Sequence, residues 1–239
     1  MTERSIVENS VDCLPGRLVA GYETFLAGRF PQEHERFRAL AEEGQRPTTM
    51  IIGCCDSRVS PEAIFDSRPG ELFILRNVAN LIPPYEPDNH YHGASAALEY
   101  AVMALKVQHI VVLGHAQCGG VAAFAQSIAN PELPPLSEGD FIGRWIKLLG
   151  PAAERAGPPP AQLDRAYVEK LEFESVKQCV RNLRSFPMIR TLEARHYLKL
   201  HGALFGVMDG RLLAYDEAGD TFVPVAGAAH AAALEGARF

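Results

Sequence analysis

The sequence has no excess of positive charge, no paired set of cysteines and no long apolar run, and each absence removes a class of function. Twenty-three lysines and arginines stand against 29 acids, a formal net charge of -6, which argues against a nucleic-acid partner or an anionic membrane surface. The five cysteines, Cys13, Cys54, Cys55, Cys118 and Cys179, are odd in number and widely scattered. A disulfide framework is therefore excluded, and a cytoplasmic, reducing location is expected. No window approaches the roughly 18 uncharged apolar residues of a membrane span. The N-terminal stretch carries Glu3, Glu8 and Asp12 and no apolar segment of leader length, so no secretory leader is expected. Internal repeats are absent as well.

What is there suits one folded domain, because 239 residues with 47% hydrophobic content can bury a substantial core. We divide the single domain 1–239 into a helical arm over 1–45, a core carrying the chemistry over 46–125, a surface insertion over 126–165, and a closing helix with strands over 166–239. Leu18, Tyr22, Phe25 and Leu26 fall on one face of a helical segment that breaks before Pro31. The runs 48–54 (TTMIIGC), 71–77 (ELFILRN) and 109–114 (HIVVLG) are short, apolar and β-branched, as buried strands are, and 202–208 (GALFGVM) is a fourth. Helical stretches at 93–106 and 168–185 alternate with them, and the tail from 210 predicts a closing hairpin turning near Glu217 to Asp220. This alternation predicts an α/β fold: a mostly parallel central sheet of four strands plus a C-terminal antiparallel edge strand, flanked by helices. Sites in such folds gather beyond the carboxyl ends of the strands. The proline-rich segment 130–162 is expected to be a surface loop or helical insertion without chemistry.

Two segments placed directly after predicted strands carry metal-binding side chains. In "VVLGHAQCGG", His115 and Cys118 are three residues apart, a spacing that puts both on one side of a turn, and Gly114, Gly119 and Gly120 allow tight bending and close approach of a ligand. Imidazole and thiolate together suit Zn²⁺. In "IIGCCDSR", an extended chain turns Cys54, Asp56 and Arg58 to one side and Cys55 and Ser57 to the other, which selects Cys54 as the ligand. Arg58 can then keep Asp56 ionised and oriented. Three ligands leave a fourth tetrahedral position for water, as catalytic zinc sites do. Singly, each residue has a plainer role: a packed cysteine, a helix cap before "SPEAIF", a solvated ion pair.

These motifs resemble the β-class carbonic anhydrases. The likeness rests on "CCDSRVSPE", "PGELFILRNVAN", "ALEYAV" and "HIVVLGHAQCGGV", and more weakly on "SVKQCVRNLRSFPMIR" and "LKLHGALFGVMDGRL". It implies reversible hydration of CO₂ to bicarbonate and a proton, with one Zn²⁺ per subunit on Cys54, His115 and Cys118 and a catalytic pair formed by Asp56 and Arg58. It further implies that Gln45 hydrogen-bonds substrate, that Phe73, Val78 and Tyr100 form an apolar wall for CO₂, and that the Gly119 N–H donates to a bound anion. Cys55 is expected to be a small buried thiol. The stretch "PPYEPDNHYHGASAALEY" resembles the plant-like branch, which implies a homodimer or larger homo-oligomer such as a tetramer, with helices of one subunit clasping another and the active site in the interface. A second branch of the family switches its site off through a bicarbonate pocket built on a tryptophan, an arginine and a tyrosine. Those positions here are Ile51, Arg76 and Phe205, so no such switch is expected, and Arg76 is expected in the subunit interface or the active-site wall. His90, Tyr91 and His92 lie in a loop that could reach the channel mouth and pass protons. Two other readings fit the same residues: hydrolysis of CS₂ or COS, and a noncatalytic zinc or thiol-redox module in which Asp56 closes the metal permanently.

Overall fold

The structure, a computed structural model, describes residues 14–88 and 90–226; Cys13 lies outside them. The chain divides into two compact units, Met1–Gln45 and Arg46–Phe239.

The first unit holds α1 (Gly16–Ala27) and α2 (Arg29–Glu43). The break falls at Gly28 rather than directly before Pro31, because Pro31 sits in the first turn of α2, where a missing N–H forfeits no helical bond. The two helices meet through aromatic rings, with Phe25 edge-on to Phe37 at 6.0 Å and tilted against Phe30 at 5.7 Å. No residue of either helix is buried, and Leu18, Tyr22 and Leu26 are exposed.

The second unit is built on a six-stranded sheet in the order β2-β1-β3-β4-β5-β6. The strands are β1 (Thr49–Cys54), β2 (Leu72–Asn77), β3 (His109–His115), β4 (Lys199–Phe205), β5 (Leu212–Asp216) and β6 (Thr221–Pro224). β1 to β4 are parallel, while β5 and β6 return antiparallel. Both arms of the expected hairpin thus join the sheet, where a single edge strand was expected. β4 starts and ends three residues before the predicted run, since Lys199 and His201 flank Leu200 and hide the strand start.

Helices follow in chain order: α3 (Pro61–Ile64), α4 (Gly93–Glu99) with a π turn at Tyr100–Ala104, α5 (Gly119–Ala129), α6 (Phe141–Ile146), α7 (Gly150–Ala156), α8 (Arg165–Leu183) and α9 (Pro187–Ala194). α8 opens on Asp164, whose carboxylate accepts the Tyr167 N–H at 2.8 Å. It then presents Glu172, Ser175, Val176, Cys179, Val180 and Leu183 as a buried stripe. Val176 sits against β3 and β4 so closely that a Cβ on Gly114 would lie 2.5 Å from one of its methyls, and a Cβ on Gly202 would lie 2.8 Å from the other. Glycine at both positions is what lets α8 approach. The main core also takes in Met50, Ile52, Ile110 and Val112, each fully buried and worth about 1.5–3 kcal/mol. A smaller cluster, Ile51, Leu113 and Ala203, forms a second group with Ile74, Val111 and Leu212.

The insertion over 126–165 is partly core: Ile146, Leu149, Ala152 and Ala156 are buried. Among the described residues no helix is long and apolar enough to cross a membrane.

Candidate metal centre

β1 runs to β2 on one side and the later strands lie on its other side, so the strand order reverses between β1 and β3, the position beyond whose carboxyl ends open α/β sheets place their sites. Cys54 is the last residue of β1, His115 the last of β3, and Cys118 the residue that opens α5. All three are buried, and one ligand atom from each lies within 4.8 Å of the others. The sulfurs of Cys54 and Cys118 are 4.0 Å apart, close to the ~3.8 Å that two Zn–S bonds of about 2.3 Å subtend in a tetrahedron.

The histidine supplies an independent test of fit. His115 Nδ1 lies 3.0 Å from the Ala116 carbonyl; a carbonyl only accepts, so Nδ1 carries the hydrogen and Nε2 a bare lone pair. That Nε2 is buried with no hydrogen-bond partner, one of two such side-chain atoms among the described residues, the other being Asn80 Nδ2. A lone pair orphaned between two thiols is costly in a protein alone and satisfied by a cation. The donor set, two sulfurs and an imidazole, fits zinc.

The surroundings favour a negative charge on one of the two sulfurs. The hydrogen bond between the two thiols draws the Cys54 pKa well below its ordinary value, helped by His115 and by the backbone N–H groups of Asp56 and Ala79. The same shared proton pushes Cys118 up, although the N–H groups of Gly120 and Val121, at the start of α5, pull the other way. Burial opposes charge on His115, but the Cys54 thiolate outweighs it and raises the imidazole's pKa.

Asp56 stands beside this cluster, its Oδ2 3.8 Å from His115 Nε2. Arg58 grips it with Nε on Oδ1 at 2.9 Å and Nη2 on Oδ2 at 2.7 Å, and this fork holds the carboxyl far below the usual carboxylate range. The pairing does not arise from strand alternation. The chain turns at Asp56, with the Arg58 N–H on Asp56 Oδ1 at 3.0 Å and the Val59 N–H on the Asp56 carbonyl at 3.1 Å, and the turn folds Arg58 back. Strand alternation would also bring Asp56 and Arg58 together, but here the turn does it. Cys55, expected to be a small buried thiol, is exposed.

Arg76 is half-buried behind the turn. It donates to the carbonyls of Cys54 at 2.8 Å, Asp56 at 2.7 Å and Val59 at 2.9 Å, and so pins the turn that carries the acid. Of the three glycines expected to face a ligand, Gly114 faces Val176 and Gly120 faces Val78 and Ala79, while only a Cβ on Gly119 would meet nothing within 4 Å. Val78 lines an apolar groove with Cys55, Asn77, Phe141, Ile142 and Trp145, and the Trp145 indole donates to the Val78 carbonyl at 2.8 Å. Phe141, Ile142 and Trp145 belong to the insertion, which thus forms part of that groove.

Phe73 and Tyr100 are not brought to the cluster within one chain. Phe73 pairs with Met50, whereas Asn77 pairs with Cys54, so Phe73 lies four residues, about 13 Å, back along the strand. It packs on Tyr100 with ring centroids 5.9 Å apart, and Tyr100 is exposed. Gln45 is exposed and closes the first unit. His92 is hydrogen-bonded to Asp88, in a cavity lined by Tyr85, Glu86, Phe186 and Met188.

Sequence reasoning missed Glu172. Its carboxylate, 3% exposed, accepts the Cys118 N–H at 2.8 Å, and burial raises its pKa despite that bond. The available signal was an acid on the apolar stripe of a helix.

Comparison with known proteins agrees with this geometry. A family model described as carbonic anhydrase matches residues 49–212. A carbonic anhydrase of Pseudomonas aeruginosa is 33% identical over 87% of this chain and 91% of its own length. Among solved structures, the β-carbonic anhydrase CcaA superposes with a TM-score of 0.74 at 30% identity, covering 87% of this chain and 91% of that one. A structure from a study of two tetrameric β-carbonic anhydrases of the ascomycete Sordaria macrospora gives 0.69 at 29% identity, covering 83% and 95%.

Proposed function

This chain belongs to the β-class carbonic anhydrase family, and from that premise we propose that it hydrates CO₂ reversibly to bicarbonate and a proton with a zinc ion held by Cys54, His115 and Cys118. The observation that carries the reading is the unpartnered Nε2 of buried His115, set between two thiols and beside a carboxylate that arginine keeps ionised. Bound there, zinc supplies Lewis acidity that lets a water ionise near neutral pH.

The chain's own groups do the rest. Asp56, acceptor-only in its ionised form, receives a hydrogen bond from the attacking water and so turns a lone pair towards the carbon. Arg58 holds Asp56 in that role. Val78 offers apolar surface to a substrate without a dipole, and the open Gly119 N–H, at the start of α5, donates to the bicarbonate that forms. Gln45 is a further donor to substrate. The ~13 Å offset of Phe73 and the exposure of Tyr100 support a homo-oligomer in which these two rings complete the wall of a neighbouring subunit's site. The absence of the tryptophan and tyrosine from the second branch's pocket, with Asp56 held by Arg58, supports a site without a bicarbonate off-switch. The odd, scattered cysteines support a cytoplasmic location.

Metal analysis combined with stopped-flow CO₂ hydration between pH 6 and 9 tests the proposal. One zinc per chain and hydration that rises with pH are expected. Zinc without turnover at pH 8 to 9 would instead mark a permanently closed, noncatalytic site, and sulfide release from CS₂ exceeding CO₂ turnover would mark the heteroallene hydrolase.

A further inference from the structure

Glu172 is the one carboxylate among the described residues that is almost wholly buried. It lies one turn before Val176 on α8, and the close seat of Val176 on Gly114 and Gly202 brings its side chain to the loop between His115 and Cys118. There Oε1 accepts the Cys118 N–H at 2.8 Å. Gln117 has φ 58°, a left-handed conformation unusual for a side chain of its size, and this turns the following Cys118 N–H towards Glu172.

The peptide group joining Gln117 to Cys118 is held at its other end too. Its carbonyl accepts Arg58 Nη2 at 3.0 Å, and that same nitrogen donates to Asp56 Oδ2 at 2.7 Å. One planar amide therefore has a buried acid on its N–H and the arginine of the Asp56 pair on its C=O. A peptide rotates as a plate, so fixing both edges forbids the flip that would release either. An acceptor on the N–H also polarises the amide and makes its carbonyl the stronger acceptor.

We propose that Glu172 is a positioning residue that sets the Cys118 sulfur and the Asp56–Arg58 pair in one frame by gripping the peptide they share. The inference rests on the zinc-site reading above. It accounts for a carboxyl group in a stripe where leucine would otherwise pack at no desolvation cost.

The test compares full-length wild type and Glu172→Gln, which keeps shape and removes charge, by chelator competition for zinc and by the NMR signal of the Arg58 Nε–H, assigned with Arg58→Lys. Zinc affinity is expected to fall about 10- to 100-fold, and the Arg58 signal to shift or broaden, with the melting midpoint little changed. A packing role alone would leave the Arg58 signal where it was. Affinity within about twofold of wild type together with an unmoved Arg58 signal would overturn the proposal. Should Glu172→Gln not fold, hydrogen exchange of the Cys118 amide in the wild type decides: strong protection is expected, and exchange at the rate of an open amide refutes the grip. Wild type that binds no zinc would defeat the zinc reading instead, and leave the Arg58 and exchange results to judge this inference.

Discussion

Cys54 and Cys55 are neighbours with opposite fates: one sulfur is buried against Cys118 and His115, the other faces the groove beside Val78. Cys54→Ser should release zinc to a mild chelator, whereas Cys55→Ser should keep one equivalent and turnover within about twofold, as surface substitutions do; metal analysis of the two proteins checks this. Asp56→Asn should retain zinc but lose hydration by on the order of 100-fold or more, measured by stopped flow. The same variant reports on acid stability. Arg58 holds the folded pKa of Asp56 below its unfolded value of about 3.9, so the pair stabilises fully above that value and its contribution is lost as pH falls through the lower folded one. Wild type should exceed Asp56→Asn by at most about 1 kcal/mol at pH 7, with the gap narrowing as pH falls below about 3.9 in urea titrations. The candidate ligands and the acid were legible because each follows an apolar run at once, and chain order nearly equals spatial order there. Glu172 was not, since its partner is a backbone N–H 54 residues away and no side-chain pattern records it.

Among the elements, β1 to β3 could be delimited from composition, and the hairpin turn from Glu217 to Asp220 fell where expected. β4 could not, because Gly202 reads as a boundary in sequence while in the fold it is the mid-strand seat of Val176. The same contact predicts a compensating pair. Gly114→Ala should cost about 1–3 kcal/mol by overpacking, and adding Val176→Ala, which clears the methyl 2.5 Å from the new Cβ, should cost less than the two single changes summed. Denaturant titration of the three variants measures this. Additive losses would mean that α8 shifts to absorb the methyl.

For the whole molecule, the displacement of Phe73 and Tyr100 from their own cluster yields a mixing experiment. Tyr100→Ala keeps the zinc ligands but lacks the ring, and Cys54→Ser keeps the ring but lacks zinc. If the ring serves a neighbouring subunit, co-refolding the two in equal amounts makes mixed dimers with one complete site each, and about a quarter of wild-type activity should return. No gain over the parents would place the ring in its own subunit's site. The peptide between Gln117 and Cys118 carries a different lesson, for anyone wishing to move this centre into another scaffold. Copying the end of β1 and the β3–α5 junction would transplant every ligand yet leave the loop free to flip, so the minimal portable unit is three separated pieces of chain, the third a turn of helix that never touches the metal.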